Sequence, residues 1–413
     1  MMKLLRSFFD GSRPSSGRFF QTAFVTYAGM GLSLVSAPLL ARTLGPDGRG
    51  VLAGAFVSVQ VLSWVAFLGL PRGLALQDHK RAFMSGVGVL VVAGLGPISA
   101  LLAFLSADIL SNGDERISLG IRIAAGVLVF SGIGQIGLEL VLVSGRIWPF
   151  NLIRASTLVF PSLAYIVLWA SGTLTLEIAF IVTLAGNALG NLIGCVFAIS
   201  GIRRSNRTPV PWNFSLRFWS TSAFDSVGGR LDQLLLSALS PASVLGMYAV
   251  AITCASASGG LTQALNHVTY SKFASALNAS TDNGALLRKR TTSGALLSVI
   301  VAVPVVTLVY FFGETLFGVG YHGLALVTAI LVVAQFLNDQ WQLRVYMDSA
   351  SENASSLTLA SAAGLLALAL SAWAFYSFGD LDGPEMAVCV VIFGVVRLSM
   401  RSVLRGRSTN PRG

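Results

Sequence analysis

The feature that most constrains the fold is a series of apolar windows, each about as long as a membrane-spanning helix. A helix needs roughly 20 apolar residues to cross a bilayer, and only 11% of the 413 residues are charged, against about 25% in soluble domains. The sequence therefore predicts an all-α membrane protein with twelve transmembrane helices and excludes a water-soluble globule. The windows are residues 20–41, 51–70, 83–106, 118–143, 149–170, 176–200, 217–238, 244–268, 291–312, 321–345, 355–377 and 384–402.

A polar segment divides these spans into two sets of six. It reads GIRRSNRTPVPWNFSL, and its prolines and arginines favour a loop over a helix. We therefore predict two lobes joined by a cytoplasmic loop, with a polar tail at each end. The predicted segments are the N-terminal tail 1–19, the N-lobe 20–200, the loop 201–216, the C-lobe 217–402 and the C-terminal tail 403–413.

Positive charge is distributed unevenly between the predicted connections. If the N-terminus is cytoplasmic, most Lys and Arg fall on the cytoplasmic side, and the outer connections hold only Arg42, Arg49, Arg116 and Arg122. This is the bias of membrane proteins, so both termini are predicted to be cytoplasmic. The net charge of +10 then reflects cytoplasmic loops, and no nucleic-acid partner is expected. The basic N-terminal tail lacks a signal-peptide pattern.

Two outer turns have similar sequences, which indicates an internal duplication. The first reads LLARTLGPDGRGVLAGA and the second LLLSALSPASVLGMYAVA. Pro46 corresponds to Pro241, and Gly50 to Gly246 after one insertion. Because both sets of six begin with an outward span, the sequence predicts two lobes related by a pseudo-twofold axis along the membrane normal.

The same two turns carry a family resemblance. The ARTLGPDGRG turn, the LGLPRG end of span two and the stretch GRLDQLLLSALSPASVLGMYAVA resemble signatures of the polysaccharide (oligosaccharidyl-lipid) flippases, which include O-antigen flippases, in the multidrug/oligosaccharide/polysaccharide exporter superfamily. Arg230, Asp232 and the turn Gly246–Tyr248 match the second signature. The fourteen-helix lipid II flippases are similar in the core, but two further helices are not predicted here.

The resemblance implies a MATE-like fold whose lobes enclose a cavity that opens alternately to each side. It implies a flippase of the bacterial inner membrane that turns an undecaprenyl-diphosphate-linked oligosaccharide from the inner to the outer leaflet, for lipopolysaccharide O-antigen or exopolysaccharide. Implied partners are this lipid-linked substrate, membrane lipids and a polysaccharide polymerase or other assembly proteins. Such a headgroup cannot cross hydrocarbon unaided, because its charges and hydroxyls would lose their hydrogen bonds.

Span seven contains three charged residues, Asp225, Arg230 and Asp232. Charges within spans are costly and are expected to face protein or water. In a continuous helix the two acids share one face and Arg230 points away from it. The functional interpretation makes Arg230 a cavity cation for the diphosphate and the acids gating or ion-coupling groups. The alternative is that all three pair with neighbouring helices.

A polar stripe follows one face of span ten. Gln335, Asp339 and Gln342 share this face, and Gln135 and Glu139 form a counterpart in span four. We predict that the amides line the substrate cavity and that Asp339 and Glu139 act in ion coupling or gating. The alternative is a hydrogen-bonded seam between helices.

Two arginines lie near the predicted cytoplasmic ends of spans. Arginine suits phosphate oxygens, so Arg154 is assigned to the substrate cavity, with an interfacial anchor as the alternative. For Arg72 the anchor is favoured.

Catalytic and cofactor signals are not visible in the sequence. No GxxxxGK[ST] motif occurs, and the three cysteines and three histidines form no metal-ligand or nucleophile-base pattern. No cofactor is predicted, and coupling to H⁺ or Na⁺ is left open. The alternatives are a multidrug cation exporter, which would favour an acidic, aromatic-lined cavity, and a membrane glycosyl- or acyltransferase.

Overall fold

The computed structural model describes residues 15–81, 83–278, 283–350, 355–379 and 381–408. Within these residues the chain is helical almost throughout, and the only β-structure is an isolated bridge between Ser85 and Asn206. The predicted all-α membrane fold is confirmed. Parts of both predicted tails lie outside the described residues.

Fourteen helices follow one another along the described residues. They are α1 (Ser15–Val65), α2 (Leu70–Arg81), α3 (Gly86–Leu110), α4 (Glu115–Ala125), α5 (Leu128–Val143), α6 (Ile147–Ala170), α7 (Leu176–Ile202), α8 (Trp212–Gly228), α9 (Leu231–Leu239), α10 (Ala242–Asn278), α11 (Asn283–Phe317), α12 (Leu324–Ala350), α13 (Ser355–Phe378) and α14 (Gly383–Ser408).

The first helix contains a break at the first predicted outer turn. Gly45 has φ +68° and ψ 178°, a conformation that a residue without a Cβ adopts without steric cost. Pro46 follows it and lacks the N–H that a continuous helix would use. The chain is therefore kinked here, although α1 is formally continuous.

The described residues include nine helices long and apolar enough to cross a membrane, or ten if the pair α4 and α5, bent by 51°, forms one span. The predicted number was twelve. Predicted spans one and two fall within the single helix α1, and span seven is divided into the shorter helices α8 and α9. The count of twelve therefore stays a prediction.

One compact unit comprises Met1–Ser36, Ala66–Leu101 and Gly126–Ser215. Its core includes Phe67, Leu74 and Ile136. Glycines let α5 and α7 pack backbone to backbone: a Cβ on Gly137 would lie 1.8 Å from the carbonyl oxygen of Gly194. Any larger residue at position 137 would push these helices apart.

The second compact unit comprises Ala37–Val65, Leu102–Ala125 and Leu216–Gly413. A large core holds it together and includes the fully buried Leu236 and Tyr248. This unit contains residues of both predicted lobes, because the duplicated turns pack on each other within it. The lobe boundaries stay a prediction.

Candidate functional site

The second unit contains a cavity of ≈ 290 Å³ between α8, α9, α10, α12 and α14. All of its charged and amide lining comes from the predicted spans seven, ten and twelve. These residues are Asp225, Arg230, Asp232, Gln233, Gln335, Asn338, Gln342 and Arg397. The cavity therefore brings together five of the residues proposed from the sequence, namely Arg230, Asp225, Asp232, Gln335 and Gln342.

A helix break places the charges of span seven around this cavity. Helix α8 ends at Gly228 and α9 begins at Leu231, so Gly229 and Arg230 lie between them. A broken helix leaves backbone groups without helical partners, and within a membrane this is tolerated where the backbone lines a cavity. The prediction that Arg230 points away from the two acids assumed a continuous helix. All three residues line the same cavity, and no salt bridge joins Arg230 to either acid within the described residues.

Both acidic side chains in the cavity wall accept hydrogen bonds from protein groups. Asp232 is buried, and its carboxylate accepts bonds of 2.8 Å from the Tyr248 hydroxyl and from the backbone N–H of Gln233. Asp225 accepts a bond of 3.2 Å from the Ser361 hydroxyl. Protein donors therefore already stabilise both carboxylates.

Arg230, unlike the two acids, has no hydrogen-bond partner of this kind in the described part of the chain. It is exposed and lines the cavity. Its side chain makes no hydrogen bond or ion pair with any residue that the structure describes. Its five N–H donors are thus available to a ligand.

Arg397 is a cavity residue that the sequence reasoning missed. It had been counted among the cytoplasmic cations, yet it is only 4% exposed and lines the cavity. Its guanidinium lies 4.9 Å from the Trp341 ring centroid and 4.4 Å from that of Phe393, and it donates a 2.8 Å bond to the Asn338 amide oxygen. A signal was present, because Arg397 falls inside the apolar window 384–402.

The polar stripe of span ten divides between the cavity and the protein interior. Gln335 and Gln342 line the cavity, whereas Asp339 is buried at 1% exposure and does not. The Gln335 amide donates a 2.8 Å bond to the Asp339 carboxylate, and Asn266 donates to the Asp339 main-chain oxygen. The Asp339 carboxylate thus bonds within α12, and its main-chain oxygen joins α12 to α10. The predicted role of Asp339 in ion coupling or gating stays a prediction.

The remaining proposed residues lie in the first unit. Arg154 is half-buried on α6, with its guanidinium 5.6 Å from the centroid of the Phe150 ring. Glu139 forms an ion pair with Arg72, and Gln135 is half-buried on α5. Glu139 is thus paired with Arg72 within this unit, and its predicted role in ion coupling or gating stays a prediction.

Metal ligation has no visible basis in the described part of the chain, where no three His, Cys, Asp or Glu residues are grouped around a common point. The cavity lining combines guanidinium, amide and carboxylate groups with apolar side chains. Its guanidinium and amide groups can bind and orient acceptor-rich ligands.

Solved structures with the same fold are membrane transporters. The chain aligns with the lipid II flippase MurJ, in an inward closed conformation, at a TM-score of 0.70 and 12% identity, over 94% of this chain and 87% of that one. It aligns with an inward-facing multidrug resistance MATE family transporter of the MOP superfamily at a TM-score of 0.71 and 14% identity, over 92% and 94%. A MOP superfamily transporter from Pyrococcus furiosus, described as having a binding pocket of reverse polarity, gives 0.59 and 14%, over 95% of each chain. The expected MATE-like fold is confirmed.

No curated protein sequence matches this chain. The family model described as polysaccharide biosynthesis protein matches residues 39–322, which is more than half of the chain and includes both duplicated turns. The resemblance seen in those turns is thereby confirmed. This membrane protein belongs to the polysaccharide biosynthesis protein family.

Proposed function

We propose that this protein is a flippase that moves an undecaprenyl-diphosphate-linked oligosaccharide from the inner to the outer leaflet of the bacterial inner membrane by alternating access. Its family membership supports a role in polysaccharide biosynthesis, and lipid II, which the structurally similar MurJ flips, is a lipid-linked saccharide. The proposal includes cytoplasmic termini, two six-helix lobes and a function in O-antigen or exopolysaccharide assembly.

The observation that carries this proposal is the unused hydrogen-bonding capacity of the cavity. Its two acids accept bonds from Tyr248, Ser361 and a backbone N–H. Arg230 makes no hydrogen bond with the described side chains, and Arg397 makes one, to an amide oxygen. A ligand that completes these bonds must be rich in acceptor oxygens, and a diphosphate fits this requirement. The amides of Gln335 and Gln342 suit hydroxyl groups of an adjoining sugar.

Export of a multidrug cation is the second candidate. It is favoured by the carboxylates of Asp225 and Asp232 in the cavity wall and by the similarity of fold to a multidrug resistance transporter. Transferase activity has no comparable support, because the similar structures are transporters and flippases. We therefore propose transport without a covalent intermediate.

Reconstitution tests the flippase directly. The purified protein is placed in liposomes with a fluorescent undecaprenyl-diphosphate oligosaccharide, and dithionite quenching measures how much of it changes leaflet. We expect flipping above that of protein-free liposomes, its loss in Arg230→Gln, and its retention in Arg288→Gln, since Arg288 is an exposed arginine outside the cavity. Absence of flipping together with efflux of a cationic dye would favour the second candidate.

The same liposomes test ion coupling. A pH or Na⁺ gradient is imposed, and the initial flipping rate is compared with that at equilibrium. A rate that follows one gradient assigns the coupling ion. Equal rates under all gradients would remove coupling from the proposal.

A further inference from the structure

We infer that Arg397 is a second anion-binding residue of the cavity and that it binds a phosphate group of the lipid diphosphate together with Arg230. This inference deepens the proposed function and rests on it. The sequence alone predicts that Arg230 and Arg154 bind the diphosphate. Arg397 adds α14 to the helices that are expected to bind the headgroup. Helix α14 then contributes to recognition as well as to packing.

Arg397 is buried with most of its possible hydrogen bonds unmade. A guanidinium has five N–H donors, and burying such a group without partners is costly. Its Nη2 donates to Asn338, whereas its Nε has no partner among the described residues. It forms no salt bridge within the described part of the chain. A ligand with acceptor oxygens would accept hydrogen bonds from N–H groups of Arg397 that make none with the described residues.

A second buried arginine on the same helix has its charge paired with a protein carboxylate. One turn further along α14, Arg401 is equally buried, and it makes two bonds of 2.6 and 2.7 Å to the two carboxylate oxygens of Asp348. That pair needs no ligand. Arg397 has an amide oxygen in the place of a carboxylate, so its charge stays available.

The residues around Arg397 hold its guanidinium in one orientation. The rings of Trp341 and Phe393 lie within cation–π distance of it, and Trp341 is itself fully buried. The Asn338 amide fixes the position of Nη2. A cation that is oriented before the ligand arrives loses less entropy on binding.

Asp225 compensates the charge of Arg397 without occupying its donors. Both residues line the cavity and interact electrostatically, but they form no salt bridge. The carboxylate of Asp225 accepts its bond from Ser361. Burial of Arg397 is therefore made less costly, and Asp225 occupies none of its N–H donors.

The size of the cavity is compatible with the charged linkage of the substrate. A cavity of ≈ 290 Å³ can take a phosphate or diphosphate group. The arginines that line it would then bind this linkage.

Binding of inorganic pyrophosphate to the full chain in detergent tests the inference. Thermal unfolding is followed with increasing pyrophosphate at constant ionic strength, with sodium chloride as the reference salt. We expect pyrophosphate to raise the unfolding temperature of the wild type and of Arg288→Gln by mass action. In Arg397→Gln and Arg230→Gln the apparent affinity should fall about tenfold or more, the loss expected for a hydrogen bond to a charged group. Arg397→Lys should also bind weakly, because lysine lacks the planar fork.

Asn338→Asp keeps the test decisive if Arg397→Gln does not fold. The new carboxylate should pair with Arg397 as Asp348 pairs with Arg401, so folding is retained and the donors of Arg397 are occupied. We expect this variant to lose pyrophosphate binding without losing thermal stability. Wild-type affinity in a folded Asn338→Asp or Arg397→Gln variant would overturn the inference, as would the absence of pyrophosphate binding to the wild type.

A last comparison separates the two sources of such a phosphate group. Undecaprenyl diphosphate and phosphatidylglycerol, each in detergent micelles, are used to displace pyrophosphate. Displacement by undecaprenyl diphosphate alone supports the inference, and displacement by phosphatidylglycerol alone would replace it with a membrane-lipid site. If pyrophosphate binds through Arg397 but reconstituted protein flips no lipid-linked oligosaccharide, the anion site stands and the proposed function fails. If flipping occurs and Arg397→Gln binds pyrophosphate with wild-type affinity, the inference about Arg397 is overturned and the proposed function stands.

Discussion

Gly50 and Ala242 are in direct backbone contact, so close that a Cβ on Gly50 would lie 1.6 Å from the Ala242 carbonyl oxygen. The contact is reciprocal, because a Cβ on Gly246 would lie 1.8 Å from the Pro46 carbonyl oxygen and 2.6 Å from the Gly50 nitrogen. The two turns with similar sequences therefore pack against each other, and the corresponding glycines, Gly50 and Gly246, lie at the contact. If the two predicted lobes move apart as the proposed alternating access supposes, this contact must open.

Replacing Gly50 with alanine should prevent the contact from closing. The added Cβ cannot share space with a backbone carbonyl, and overpacking of this kind costs about 1–3 kcal/mol or more. We expect Gly50→Ala and Gly246→Ala each to lower the thermal unfolding temperature in detergent and to slow flipping. The matched control is Gly260→Ala, because a Cβ there meets no atom within 4 Å and alanine favours a helix. If all three variants had the same unfolding temperature and the same flipping rate, the contact would contribute neither to stability nor to transport.

The buried pair of Arg401 and Asp348 should be a large contributor to stability. Both side chains are at most 5% exposed, and removing one partner of such a pair costs about 3–5 kcal/mol because the other charge is left uncompensated. We expect Asp348→Asn to lower the unfolding temperature strongly. The double variant Asp348→Leu with Arg401→Met should recover much of the loss, since it removes both charges together. If the double variant unfolds at no higher temperature than Asp348→Asn, an uncompensated buried charge is not the cause of the lost stability.

Sequence reasoning could identify the class of fold because span length and hydropathy depend on the bilayer and not on tertiary detail. The duplicated turns were also visible, since prolines and glycines mark reversals of the chain. The break at Gly229 and Arg230 was not, because apolar residues continue on both sides of it and a helical wheel presupposes a regular helix. This one local feature determines where Arg230 lies relative to Asp225 and Asp232.

The missed role of Arg397 has a different origin. An arginine near the end of a span fits both an interfacial anchor and a cavity residue, and the positive-inside count favours the anchor. Only the partners distinguish them: Arg397 contacts Trp341, Phe393 and Asn338 inside the second unit. In contrast, Arg401 is the structural residue. Neither set of partners follows from spacing along one helix.

An ion cluster outside the predicted spans should make stability depend on acid pH. Arg116 bonds to Asp114 and to Asp47, and its hydrogen bond to Asp114 holds the pKa of that carboxyl below the usual 3.8. A lowered pKa stabilises the folded state at neutral pH, and this contribution is lost as the pH falls from the ordinary carboxyl range through the depressed value. We expect the unfolding temperature of the wild type to fall more than that of Asp114→Asn between pH 5 and pH 3. The difference should be modest, since Arg116 is half exposed. Parallel curves for the two proteins would contradict the assignment.

The bond from Tyr248 to Asp232 separates a structural role of this acid from a role in transport. Tyr248→Phe removes a 2.8 Å bond between two buried groups and should cost about 1.5–3 kcal/mol, because the acceptor is a carboxylate. In Asp232→Asn the tyrosine hydroxyl keeps an amide oxygen to bond to, so the loss of stability should be smaller. If Asp232 couples transport to an ion, Asp232→Asn abolishes the response of flipping to the imposed gradient, whereas Tyr248→Phe retains it at lower thermal stability. If Asp232 is structural, both variants change the unfolding temperature and neither changes the gradient response. The two readouts thus decide between the alternatives that the sequence left open for this residue.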